Sequence, residues 1–301
     1  MKSKIISCCL FAIFVFAISF VNAQEKNGDE MNDENLKGIA KSVSISFYNG
    51  AVANGKIPQW TSIQYYNKIG KIISYHHQNR SERVTDDTKY SYDTKGHLTR
   101  VRYEENGSLR AISIIKYDNS GNLSEVVSLN GDSIQEYKVS YKYSPDRKQV
   151  ETSRYNIVAD TLVNKNVDKL DANGNTIESK VYDRNNKMVR VWRSKYDRMN
   201  NFISNAEFNS KNEQVSIDTH VYTYYPNKNM KSDIHYTDGI INSKQLFDEH
   251  GNVIEDIMYS GDKGEDIISK ETDKYKYDSR GNWTEKVDYE NEEAFTSEIR
   301  K

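Results

Sequence analysis

The sequence predicts an all-β chain built from consecutive antiparallel β-hairpins, and three observations carry that prediction. A Tyr-x-Tyr-Asp-x-x-Gly-Asn frame recurs along the chain, with successive turn centres 23 to 30 residues apart. Between the turns, residues alternate with period two, as in Val139-Ser-Tyr141-Lys-Tyr143 and Tyr275-Lys-Tyr277. Beyond the N-terminal segment no window holds a helical apolar period, and 22 tyrosines with abundant Val, Ile and Thr favour strands.

The N-terminus comes first. Lys2 and Lys4 precede an apolar run from Leu10 to Val21, broken only by Ser19. Small residues at Val21-Asn22-Ala23 complete the pattern of an export signal, with cleavage expected after Ala23. Both cysteines, Cys8 and Cys9, fall inside it, so the expected mature chain has neither disulfide nor thiol chemistry. Residues 24–38 are rich in Asp, Glu and Asn with almost no apolar content, and read as a disordered acidic leader. The β-hairpin domain is expected over 39–301.

The turns follow. Asp93 with Gly96, Asp118 with Gly121, Asp171 with Gly174, Asp248 with Gly251 and Asp278 with Gly281 mark five of them. Asp caps a turn through neighbouring backbone N–H groups, and Gly accepts the positive φ that closes a short loop. Asn200 takes the Gly place in one repeat, while Arg147 and Lys228 take it two residues after Pro145 and Pro226. Midway lies a second set: Asn106-Gly107, Asn130-Gly131, Asn185-Asn186, Asp238-Gly239 and Asn209 to Asn212. Each repeat of about 26 residues is therefore two strands and two turns. One covered face and one wet face are expected, in a long twisted or coiled meander. The strands lack an apolar lipid-facing band, which disfavours a transmembrane barrel.

Tyr-Asp-x-x-Gly-(Asn/His)-Leu, at Tyr92 to Leu98 and Tyr117 to Leu123, resembles the YD repeat of the RHS family; Tyr277 to Trp283 keeps the frame with Trp283 at the Leu position. The resemblance covers roughly residues 65 to 289 and implies a long, coiled β-hairpin sheet, of a kind that in some members contacts carbohydrate and cell surfaces. The usual Arg after the turn Gly is Asn or His here, and no Asp-Pro-x-Gly-Leu core motif occurs. Cargo encapsulation and self-cleavage are therefore not implied. The chain resembles a short, stand-alone, secreted member.

The chemistry-bearing residues are sparse. The turn aspartates supply one carboxylate each, too few for a calcium loop. His76-His77 point to opposite faces of a strand and cannot chelate one ion together. No Gly-x-Ser-x-Gly or comparable nucleophile motif is present, so no catalytic residue, metal or cofactor is assigned. A net charge of −2 argues against nucleic acid as a partner. Trp283 sits where other repeats carry Leu, but Trp60 and Trp192 have no repeat equivalent, and these two are the candidate ligand-binding residues, as platforms for sugar rings. The expected function is a non-enzymatic, exported binding or surface-scaffold module for glycan or a cell-envelope protein, in the periplasm, on the surface or outside the cell. The alternatives are a carbohydrate-active hydrolase with an unrecognised carboxylate pair, and a purely structural, self-associating envelope component. Specific function is expected where the repeat breaks: Gly50 to Gln64, Asn156 to Asp168 and Ser260 to Asp273.

Overall fold

The computed structural model describes residues 40–49, 57–261, 263–290 and 293–301. The expected export signal, the expected leader and residues 50–56 lie outside them. The described residues form twenty strands and no helix, and consecutive strands pair antiparallel. They fall into two units, one comprising the described part of Met1–Lys138 with Lys274–Asp288 and Ala294–Lys301, the other Val139–Asp273 with the described part of Tyr289–Glu293.

The first unit holds β1 (Ser42–Asn49), β2 (Trp60–Tyr66), β3 (Ile72–Asn79), β4 (Val84–Tyr92), β5 (Leu98–Glu105), β6 (Ser108–Tyr117) and β7 (Leu123–Asn130). Then β8 (Gln135–Tyr143) carries the chain into the second unit. That unit holds β9 (Gln149–Asn156), β10 (Thr161–Leu170), β11 (Thr176–Tyr182), β12 (Met188–Tyr196), β13 (Phe202–Asn209), β14 (Gln214–Tyr224), β15 (Met230–Thr237), β16 (Ile240–Phe247) and β17 (Val253–Ser260). The chain returns through β18 (Asp266–Tyr277) to β19 (Trp283–Glu290) and β20 (Glu293–Arg300). β1 pairs with β2 along one edge and with β20 along the other, from Ile45↔Arg300 to Asn49↔Thr296. Ser44 and Lys301 exchange backbone hydrogen bonds at 2.8 Å, so neither terminal strand is left as an exposed edge.

The five Asp-Gly turns share one geometry. In the first, the Gly96 N–H donates to Asp93 O and the Asp93 N–H to His97 O, a type I turn followed by a left-handed residue. Asp93 Oδ1 accepts from the Lys95 and His97 N–H groups at 2.8 and 2.9 Å. Asp118, Asp171, Asp248 and Asp278 repeat both contacts. Arg147, Asn200 and Lys228 occupy the Gly place with φ of 55°, 68° and 71°. Pro145 and Pro226 stand at the second turn position, which fixes the φ a type I turn needs. Next to these turns the strand register shifts by one residue, as between Ser91/Tyr92 and Lys116/Tyr117. A bulge in every repeat bends and twists the ribbon in a regular way.

Two expectations need correction. The strands β6 and β7 are buried on both faces, not one: Ile115 and Val126 pack on one side, Ile112 and Val127 on the other. Their runs Ala111-Ile-Ser-Ile-Ile115 and Val126-Val127 are the continuous apolar pattern of a doubly covered strand. Asn130-Gly131 is not a two-residue turn; Ser133 takes the positive φ, and Asn130 Oδ1 caps the Asp132 and Ile134 N–H groups. The described parts of the three stretches where the repeat departs from its frame carry the strands β2, β10 and β18, and Asn156 to Thr161 is a hairpin loop.

Candidate functional site

The second unit gathers polar and aromatic side chains on one sheet face. Antiparallel register places Val150, Asp168, Ser179, Trp192 and Glu207 directly opposite one another across β9 to β13. Cross-strand partners share a face, so these side chains form a row. Two residues along, Asn166 lies opposite Thr152 and Val181, and Arg190 lies opposite Val181 and Asn209.

The row has an uncompensated end. Asp168 Oδ1 and Asn166 Oδ1 are both buried from solvent without a hydrogen-bond partner. Buried polar atoms in folded proteins are nearly always paired, and an orphan marks local strain, a functional group, or the place of a water, ion or ligand. Burial pushes the Asp168 carboxyl above its ordinary value, with a hydrogen bond from Ser179 pulling the other way.

At the other end Glu207 is paired. Its carboxylate meets Arg190 Nε at 2.8 Å, and the Arg190 guanidinium lies over the Trp192 ring at 5.6 Å. Arg190 thus fixes the indole and the carboxylate together, through a cation–π contact and a charged hydrogen bond. The Ser194 hydroxyl donates to Asn205 Oδ1 at 3.0 Å on the same face. An indole, carboxyls, amides and hydroxyls on one face are the groups that recognise a polyhydroxylated ligand.

Trp60, the other tryptophan predicted to contact ligand, is placed differently. In the first unit it stacks on Phe47 of β1, with centroids 5.0 Å apart and planes 6° from parallel. His77 of β3 lies on its other side at 5.4 Å. With ring neighbours on both flanking strands, Trp60 is a rung in an aromatic ladder. Trp283 carries the Arg300 guanidinium over its ring at 4.5 Å and Tyr275 against its edge at 6.3 Å.

Asn166 and Asp168 fall in the Asn156 to Asp168 stretch where the sequence led us to expect function, but neither was named individually, and Ser179, Glu207 and Arg190 were not singled out. Reflection about the hairpin centre Asn185-Asn186 maps Ser179 onto Trp192, which would have found Ser179. Among the described residues, no group of three or more His, Asp and Glu is placed to hold a metal ion, and no helix is long and apolar enough to cross a membrane.

No protein-family model matches the chain, and no curated protein matches it. Solved structures do. A TcdB2–TccC3 structure is 14% identical, covers 76% of this chain and has a TM-score of 0.38; the match spans 13% of that chain's length. A porin-like protein from Bacteroides uniformis is 10% identical over 87% of this chain and 95% of that one, with a TM-score of 0.38. The Photorhabdus luminescens Tc holotoxin pore is 12% identical over 85% of this chain and 16% of that one, with a TM-score of 0.37.

Proposed function

We propose that the chain is an exported, non-enzymatic binding module whose ligand is a glycan, held on the β10–β13 face of the second unit. The observation that carries this reading is the row Asp168–Ser179–Trp192–Glu207, ending in two buried acceptor oxygens without partners. In this reading Trp192 packs against a sugar ring, Glu207 and Arg190 accept and donate to its hydroxyls, and Asp168 and Asn166 take hydroxyl donors. The repeat that builds the face we assign to the YD type, on the recurring Asp-capped turn and the Tyr side chains that brace it.

A hydrolase using Asp168 and Glu207 as its carboxylate pair is less well supported. The two stand three strands apart, about 14 Å at the backbone. Glycosidase pairs stand roughly 5 to 9.5 Å apart at the carboxyls. Glu207 is also engaged by Arg190.

The test is a glycan array probed with the wild-type chain and with Trp192→Ala and Asp168→Asn, each checked for native circular dichroism. Selective binding that both variants lose supports the reading. Binding that survives both moves the site elsewhere, and no retained glycan sinks the glycan proposal.

A further inference from the structure

The row of the second unit ends in a corner that holds acceptors without donors. Asp168 Oδ1 and Asn166 Oδ1 are buried without a hydrogen-bond partner, and the two residues stand two apart on β10, on one face of the sheet. Cross-strand neighbours are Val150 and Ser179 for Asp168, and Thr152 and Val181 for Asn166. Ser179 gives the carboxyl a hydrogen bond. The cations of this face serve elsewhere. Arg190 holds Glu207. Arg154 lies opposite Asn164, four residues beyond Val150 on β9, which is about 13 Å along the strand. Lys165, Lys169 and Lys180 fall on the reverse face by the alternation of β10 and β11.

Such a corner discriminates among the polar groups a sugar can carry. A hydroxyl donates one hydrogen bond but brings lone pairs of its own, so it satisfies one acceptor and adds another. An acetamido group donates one N–H and adds a carbonyl oxygen. An ammonium donates three hydrogen bonds and accepts none. It can satisfy both Oδ1 atoms at once. It also gives the Asp168 carboxylate a counter-charge, which offsets the cost that burial places on the charged form. Hydrogen bonds between charged partners are roughly twice as strong as neutral ones. The corner is open to such a group. Both residues are only half-buried, and the terminal torsions of Asp and Asn are broad, so either oxygen can turn toward a ligand at the sheet surface.

We propose that this corner selects an amino sugar, whose ammonium sits between Asp168 Oδ1 and Asn166 Oδ1. The selection rests on the glycan reading above and narrows it, from any hydroxyl donor at this end of the row to an amine. Asp168 and Trp192 stand two strands apart in the row, about 10 Å at the backbone. The amine therefore belongs to a sugar neighbouring the one that packs on the indole, and the ligand is an oligosaccharide rather than a single sugar.

The experiment measures binding of three trisaccharides of one linkage, built from glucosamine, N-acetylglucosamine and glucose, by titration calorimetry. The wild-type chain should hold the glucosamine form about tenfold or more tighter than the glucose form, and the N-acetylated form most weakly. Asp168→Asn should erase the difference between amine and hydroxyl, and Asn166→Ala should reduce it, each with native circular dichroism. Equal binding of the amine and hydroxyl forms, still lost in Trp192→Ala, would overturn the amine selection and leave the glycan reading standing. A preference for the amine that survives Asp168→Asn would overturn it as well. Should none of the three bind while the glycan array retains another sugar, the amine selection alone falls; an empty array sinks both.

Discussion

The Tyr117 hydroxyl donates to the backbone carbonyl of Leu98 at 3.0 Å. Tyr117 precedes the Asp of one turn, and Leu98 follows the Gly of the previous turn by two residues. The same brace joins Tyr92 to Ile72 at 2.6 Å and Tyr196 to Thr176 at 3.2 Å. In the repeat whose turn begins at Tyr225, Tyr222 performs it instead, reaching Phe202 O at 2.5 Å. The recurrent Tyr of the frame thus has a polar task besides covering a face: it satisfies a carbonyl at a strand end beside the bulge. Tyr117→Phe keeps the ring, which stacks on His97 at 4.7 Å, and deletes only the donor. It should cost about 1 kcal/mol in denaturant unfolding. A variant as stable as the wild type would mean that water replaces the hydroxyl at Leu98 without loss.

The turn slots give a prediction of opposite sign at two positions. Lys228 sits at φ 71°, where a side chain costs about 1–2 kcal/mol, and glycine loses part of that advantage through its freer unfolded chain. Lys228→Gly should therefore stabilise by about 0.5–1 kcal/mol. Gly121→Ala, at φ 85° with His97 ring atoms 3.7 and 3.8 Å from the new Cβ, should destabilise by about 1 kcal/mol. Thermal melts of the two variants should move in opposite directions.

The turn grammar also marks how far the sequence could be read. Asp capping, the Gly slot and the strand period are local, and local signals placed the hairpins correctly. Asn130-Gly131 misled because its Gly is required by a close approach: a Cβ there would stand 2.5 Å from Leu109 O. The φ > 0 residue is Ser133, and nothing local distinguishes the two reasons for a glycine. The candidate face depends on register carried across five strands and on the bulges that shift it. Asp168 in particular looks like one more charged residue beside a loop, because its burial is a property of its neighbours.

Asp168 sets a pH prediction. Its native carboxyl holds a proton at pH values where the unfolded chain has released it, since burial raises it above 3.8. Native and unfolded states then differ by a bound proton, and stability falls as pH climbs from 3.8 through the raised native value. The cost is fully present once the pH exceeds the raised native value. Asp168→Asn removes it and should raise stability at pH 7 by on the order of 1 kcal/mol, with the gain vanishing in acid. Comparing melting temperatures of the two chains at pH 3 and pH 7 tests this; equal gains at both pH values would refute it.

Asp278 runs the other way. The Asn282 amide, and then the Asn282 and Arg280 N–H groups, hold its carboxyl below 3.8. Its stabilising contribution is present above the unfolded value near 3.8 and is lost as pH falls through the lowered native value. Asp278→Asn should flatten the acid limb of the stability profile below about pH 4 and leave the neutral plateau with a weakened turn. An acid limb of unchanged slope would show that this turn opens independently of the rest.

The two tryptophans singled out from the sequence should separate cleanly under truncation. Trp60 lies between Phe47 and His77, so Trp60→Ala removes a rung of the aromatic ladder and should cost about 3 kcal/mol or more of stability. Trp192 carries Arg190 over its ring and shares its row with Asp168 and Glu207. Trp192→Ala should destabilise less, releasing Arg190 to Glu207 alone, and should abolish glycan retention. Binding lost in Trp60→Ala at temperatures where it remains folded, with Trp192→Ala still binding, would shift the ligand face from the second unit to the first.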